Sequence, residues 1–255
     1  MSATKSKSAP IKRWILIGLA ITLAGLLVWG ISWATYARPP LPEAEAALTS
    51  DSMVEVTQDP WLTFTPSGEI KTGLIFYPGG RIDPRGYSNM MRTIAEKGFL
   101  VVVPSMPINM AIFDTNAAEE IISYFSGIEN WAIAGHSVGG VSAAMFISKN
   151  PGQIDGLAFW AAFPAGNSDL SQSDIPIYMI YGEVDPAADR TAVRDRVELL
   201  PTDTVYVEIE GGDHHQFGNY LIKPEEHLAL IPREDQQQQI INSTLELLAG
   251  ISAGE

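Results

Sequence analysis

The chain has 255 residues, 46 % of them hydrophobic, enough for one sizeable domain with its own core. Four of its 16 basic residues precede residue 14 and all 30 acidic residues follow it, so the remainder sets 12 cations against 30 anions, a net charge of −18. Such a body argues against nucleic acid or anionic headgroups as its partners and weakly favours neutral or cationic small molecules.

Residues 1–13 read as a polar stub. Residues 14–36, "WILIGLAITLAGLLVWGISWATY", carry no charge over 23 positions, and a bilayer core of about 30 Å needs roughly 20 apolar helical residues. Trp14, Trp29, Trp33 and Tyr36 lie towards the ends, where amphipathic rings prefer the headgroup level. A cleavable signal peptide has a shorter apolar region, about 7–15 residues, ending in a small-x-small site. "ATYARPP" fits that site poorly, and the better "AEAAL" lies well past the apolar run. An uncleaved anchor is expected. Lys5, Lys7, Lys12 and Arg13 precede it and only Arg38 follows closely, so the N-terminus should be cytoplasmic and the body extracytoplasmic. The absence of cysteine agrees with that placement.

Residues 37–51, "ARPPLPEAEAALTSD", have the proline and acid content of a tether. From 52 to 251 strand-like and helix-like stretches alternate, which predicts an α/β domain with a mostly parallel sheet flanked by helices. "MVEVTQ" and "WLTFTP" read as edge strands joined at Asp59-Pro60; "GLIFY", "FLVVVPS", "WAIAG", "GLAFWA", "IPIYMIYG" and "TVYVEIE" read as inner strands. Helices are expected in "YSNMMRTIAEKG", "TNAAEEIISYFSG", "VGGVSAAMFISKN", "AADRTAVRDRVELL" and "REDQQQQIINSTLELLAG". Little chain is left over for a cap.

Gly135-His136-Ser137-Val138-Gly139 falls between a buried strand and a helix. G-x-S-x-G alone is weak, but that context is the one a serine nucleophile needs. A sharp turn projects the hydroxyl above the sheet edge, small residues let strand and helix approach, and the helix N-terminus offers N–H groups to a developing oxyanion. A dinucleotide site is disfavoured, because G-x-G-x-x-G is absent from the turn.

A serine hydroxyl needs a base, usually a histidine oriented by a carboxylate, and in such a sheet the chain order is serine, acid, histidine. The next strand end with a carboxylate is "IYGEVDPAAD". Asp185 is the expected acid and Glu183 its rival, while Asp189 and Asp195 read as solvated charges. The following strand end is "EIEGGDHHQFG", where His214 or His215 can reach back over the sheet. Asp213 is too close in sequence to orient His214 and reads as loop-forming. A metal pair would need further ligands at suitable spacing, and no H-x-x-x-H or H-E-x-x-H is present. Neither metal nor cofactor is expected.

In "FYPGGRIDPRGY" a strand ends at Tyr77 and glycines follow, so backbone N–H groups can face the site. Gly80 is the expected oxyanion donor, with Arg81 the alternative and Val138 the second donor. Arg81 could meet an acidic substrate, although a pair with Asp83 is the plainer reading. Trp160 and Phe163 are candidate pocket residues or core. His227 reads as a surface residue, and His136 should point away from the nucleophile's chemistry.

Taken together, "FYPGGRIDPRGY", "AGHSVGG", "FWAAFPAGNSDLS", "YGEVDPAA", "GGDHHQFGNY" and "IPREDQQQQI" make residues 52–250 resemble small bacterial serine hydrolases of the α/β-hydrolase superfamily. The resemblance implies an α/β-hydrolase fold with a minimal cap. It maps the active histidine onto His214, because relatives carry a GG-x-H-x-Q-F-G run, and it leaves His215 a bystander. The expectation is a membrane-anchored hydrolase of carboxylic esters, short-acyl because the site is uncapped, acting through Ser137, His214 and Asp185. A ligand-binding module without chemistry and an acyltransferase are the rivals.

Overall fold

Eight strands form one sheet in the computed structural model, which describes residues 8–188 and 190–254. They are β1 (Val54–Thr57), β2 (Leu62–Pro66), β3 (Thr72–Tyr77), β4 (Leu100–Val103), β5 (Asn130–His136), β6 (Gly156–Trp160), β7 (Ile177–Gly182) and β8 (Val205–Ile209). Their spatial order is β1-β2-β4-β3-β5-β6-β7-β8. β1 and β2 pair antiparallel at one edge, and β3 to β8 run parallel. Every residue of β3, β4, β6 and β7 is buried, which is why these strands read as unbroken apolar runs rather than alternating ones.

The described residues form seven α-helices, α1 (Ser8–Thr35), α2 (Pro42–Ala46), α3 (Ser88–Ala95), α4 (Ala117–Tyr124), α5 (Val138–Lys149), α6 (Arg190–Arg194) and α7 (Arg233–Ala253). Of these, α1 belongs to a separate N-terminal unit and the longer ones of the body pack on the sheet. Neighbouring strand residues point to opposite faces. Gly140 of α5 meets the Phe159 ring, while Thr244 of α7 accepts a hydrogen bond from Trp160 Nε1 at 3.2 Å. The two helices therefore lie on opposite sides of β6.

Two sequence expectations change in the structure, and Trp160, left open between pocket and core, is fully buried and falls in the core. The stretch 187–200, expected as one helix, breaks into α6 and a 3-10 turn at Val197–Leu199. Bonds of the i+3 type, Arg196 N–H to Val193 O and Leu199 N–H to Arg196 O, both 3.0 Å, tighten the chain there. Residues 37–51 are no free tether. Ala44 is fully buried, Arg92 Nη1 donates to the Ala47 and Thr49 carbonyls at 3.1 and 2.7 Å, and Arg38 and Pro40 form β-bridges to Ile82 and Tyr220.

The chain divides between Tyr36 and Ala37 into two units. The first contains Arg13–Thr35, a 23-residue helical stretch of mean hydropathy 2.3, long and apolar enough to cross a membrane. Residues 1–7 of the expected stub, and Asp189, lie outside the described residues.

Candidate active site

Ser137 stands between β5 and α5 with φ 53° and ψ −123°, a conformation that costs on the order of 1–3 kcal/mol in a non-glycine residue. The glycines around it explain how the turn closes. A Cβ on Gly135 would lie 2.4 Å from the Gly139 carbonyl carbon, and one on Gly139 would lie 2.1 Å from Tyr77 O. No side chain fits either position. The Ser137 N–H donates to Trp160 O at 2.9 Å, which pins the turn to the end of β6.

The loops after β7 and β8 pack equally closely. A Cβ on Gly182 would lie 2.2 Å from Gly212 O, and Val184 N–H donates to that same carbonyl at 3.0 Å. This contact brings Asp185 against His214. His214 Nδ1 lies 2.7 Å from Asp185 Oδ2, and Asp185, fully buried, also accepts the Ala187 N–H at 2.7 Å through Oδ1. An ionised carboxylate only accepts, so Nδ1 carries the proton and Nε2 is left as the basic atom. Among the described residues Ser137 Oγ makes no hydrogen bond within the usual limits. Such contacts are often long in ligand-free enzymes and tighten on substrate.

The other candidates separate by what holds them. Glu183 Oε2 accepts the Gly211 N–H at 3.0 Å and so shapes the turn. Asp213 is loop-forming: its carboxylate accepts four backbone N–H groups, from His215, Gln216, Leu228 and Ala229, at 2.8–3.1 Å. His215 Nδ1 lies 3.2 Å from Tyr220 Oη, and the two neighbouring imidazoles stand edge-on at 5.5 Å. Burial first, then His214 and Arg38, lower the pKa of His215. Among the described residues no group of three or more His or carboxylate side chains is arranged to hold a metal. His227 is exposed.

Near the end of β3, Arg81 donates its N–H to Asn109 O at 2.7 Å. Gly80 N–H and Val138 N–H have no hydrogen bond among the described residues. The two residues are close neighbours, since a Cβ on Gly80 would lie 3.1 Å from Val138 Cγ1. Asp83 is held by Arg85, whose Nε and Nη2 reach it at 2.9 and 2.6 Å. The cation expected there was Arg81; Arg85, on the 3-10 turn that Asp83 caps, is the partner seen on its carboxylate. Phe163 is half-buried under the Arg196 guanidinium, 5.5 Å from its ring centre.

Sequence reasoning missed a buried network under Ser137. Gly79 N–H donates to Tyr87 Oη at 3.1 Å, Tyr87 Oη meets His136 Nδ1 at 2.8 Å, and His136 Nε2 meets His214 O at 3.1 Å. One direction satisfies every atom: the Tyr87 hydroxyl donates to Nδ1, and Nε2–H donates to the carbonyl. His136 does point away from Ser137's hydroxyl chemistry, yet it ties three loops together. Gln236 and Gln237 of α7 complete the support. Gln236 Nε2 donates to Asp213 O at 2.7 Å, and Gln237 Nε2 to Gln216 O at 3.1 Å.

Burial, then the charges of His214 and His215, push His136 well below its ordinary value of 6.5. Folded His136 is thus neutral while the unfolded imidazole binds a proton below about pH 6.5, so its contribution is present above that pH and lost as pH falls through it. Between pH 7 and 5 the Tm of the native chain should fall more steeply than that of His136→Gln. Equal slopes in thermal melts would refute this.

The parallel sheet with β1 and β2 at one edge, and a strained serine between β5 and α5, define an α/β-hydrolase fold. The chain belongs to the alpha/beta hydrolase family, whose profile matches residues 73–238. Solved structures share the fold at low identity. MGS-MChE2, an alpha/beta hydrolase enzyme from a sediment metagenome of the Mar Chica lagoon, Morocco, is 17 % identical with a TM-score of 0.56, over 75 % of this chain and 98 % of that one. The thermophilic esterase Est2 of Thermogutta terrifontis, with propionate bound, is 13 % identical with a TM-score of 0.52, over 77 % and 94 %. TT1662 from Thermus thermophilus is 15 % identical with a TM-score of 0.55, over 79 % and 98 %. A search of curated proteins finds no match.

Proposed function

We propose that this hydrolase cleaves carboxylic esters of short acyl groups through Ser137, His214 and Asp185. The observation that carries the reading is the part-buried His214–Asp185 pair at 2.7 Å, with His214 O bonded to His136, the residue before a strained strand-to-helix serine. Ser137 Oγ attacks the acyl carbon as His214 Nε2 takes its proton, while Asp185 holds the Nδ1–H and stabilises the imidazolium. The tetrahedral oxygen sits between the Gly80 and Val138 N–H groups. Collapse breaks the bond to the alcohol, which leaves with the proton from Nε2. Water then attacks the acyl carbon as His214 Nε2 takes its proton, the acyl–Oγ bond breaks, Nε2 returns the proton to Ser137 Oγ, and the acid departs. No cofactor or metal takes part.

Only residues 161–176 join β6 to β7, where a cap would be inserted, and this short connection and an esterase among fold relatives support short esters. The apolar stretch Arg13–Thr35 supports a membrane anchor, and the four cations at or before residue 13 support a cytoplasmic N-terminus with the catalytic body outside.

Labelling of the full chain in detergent by a fluorophosphonate, located by mass spectrometry, tests the assignment. The adduct is expected on Ser137, lost in His214→Ala and kept in His215→Ala. A folded protein that takes no label at Ser137 would sink the hydrolase mechanism.

A further inference from the structure

The residues just after the apolar helix touch both loops that the proposed mechanism uses. Arg38 N–H donates to Arg81 O at 2.7 Å, and Asp83 N–H returns a bond to Arg38 O at 3.1 Å, which fastens the strand to the loop carrying Gly80. On its other side Leu221 N–H donates to Pro39 O at 2.9 Å, and Leu41 N–H to Asn219 O at 2.8 Å, which fastens it to the loop carrying His214. The Arg38 side chain adds a fork-to-fork pair: Nη1 and Nη2 each lie 2.6 Å from an oxygen of Glu226. Such bidentate pairs fix orientation as well as adding energy. Glu226 also accepts the Lys223 N–H at 2.8 Å, so its carboxylate is aimed by its own loop.

We propose that residues 38–41 form a positioning strap that holds the Gly80 loop and the His214 loop in register, with Arg38 as its main link. This deepens the hydrolase reading and rests on it. Hydrolysis needs the oxyanion donors and the base placed on one carbonyl to within a fraction of an ångström, and these groups come from loops well over a hundred residues apart. The loops are also joined without the strap, by a direct bond from Asn219 N–H to Gly86 O at 2.6 Å. The strap adds four backbone bonds and an ion pair to it. Arg38 is a positioning residue; it touches neither nucleophile nor base. Its place in the chain has a consequence. A cut at "AEAAL", residues 44–48, separates the strap from the body together with the helix, so cleavage there should yield a poorly active product.

The test uses the full chain in detergent with p-nitrophenyl acetate, and compares Arg38→Ala with the exchanged pair Arg38→Glu/Glu226→Arg. Arg38→Ala should lower kcat roughly tenfold with KM nearly unchanged, as expected when ground-state binding survives and transition-state geometry does not. The exchanged pair should recover most of the loss. Amide hydrogen exchange gives a reading independent of chemistry. Leu221 and Asp83, which donate to the strap, should exchange about tenfold faster in Arg38→Ala, while Ala132 in β5 stays protected because the core is intact. Unchanged exchange at both amides overturns the strap, and faster exchange with native kcat overturns its role in positioning. If the native chain shows neither turnover nor labelling, the hydrolase reading fails, and the exchange arm still decides whether the strap holds the loops.

Discussion

Asp185→Asn should lower kcat on a p-nitrophenyl ester about 10⁴-fold, close to 5.4 kcal/mol of transition-state stabilisation, while the protein remains folded. The reason lies in which atoms the carboxylate serves. Oδ1 accepts the Ala187 N–H at 2.7 Å, so an asparagine keeps its carbonyl oxygen there and turns its NH₂ towards His214 Nδ1. That amide can only donate. His214 must then accept at Nδ1 and carry its proton on Nε2, the tautomer that could not take a proton from Ser137 in the proposed mechanism. Glu183→Gln is the comparison, because Glu183 serves the Gly211 N–H and not the imidazole. Its kcat should stay within about threefold of native, the scale of one weakened hydrogen bond. Steady-state kinetics at pH 7 to 8 read both variants. A kcat for Asp185→Asn within tenfold of native would assign the orienting role elsewhere.

The parts of this site that sequence made legible are those encoded locally. The strands of the sheet appear as short apolar runs because both faces are covered, and the serine turn appears because strand, small residues and helix succeed one another within a dozen positions. Asp185 and the histidine loop followed from chain order at successive strand ends. What stayed hidden depends on partners far apart in the chain. Arg38 and Glu226 are 188 positions apart, and each is an ordinary surface charge until the fold joins them. Trp160 is an aromatic at a strand end, and its burial is set by α7, 84 positions later, through Thr244. The glutamines at 236 and 237 read as the polar face of a closing helix, yet they are buried and bonded to the histidine loop. Arg81 was the expected partner of Asp83, and the 3-10 turn that Asp83 caps brings Arg85 onto its carboxylate.

Tyr87→Phe should be the most damaging substitution that touches no reacting atom. Tyr87 is fully buried, and its hydroxyl is the middle member of the Gly79–Tyr87–His136–His214 chain. Phenylalanine fills the same space, so little packing is lost. What is lost is an acceptor for Gly79 N–H and a donor for His136 Nδ1, both left without partners in a dry interior. Each orphan costs about 1–3 kcal/mol, so the pair should lower stability by about 2–6 kcal/mol. For a domain of this size each kcal/mol moves Tm by about 2–4 °C, and a drop on the order of 10 °C is expected. The kinetic effect follows from what the network adjoins. Gly79 precedes the proposed oxyanion donor, His136 precedes Ser137, and the His214 carbonyl receives the final bond. Loosening all three should lower kcat more than it raises KM, by roughly 10–100-fold, on the scale of one misplaced catalytic group. A double variant separates a network from independent losses, since residues sharing one hydrogen-bond chain are not additive. Tyr87→Phe combined with His136→Phe removes both ends of the broken bond and should cost less than the two single changes summed. Additive melting temperatures would mean that Tyr87 and His136 act separately, and the three loops would then be coupled by packing alone.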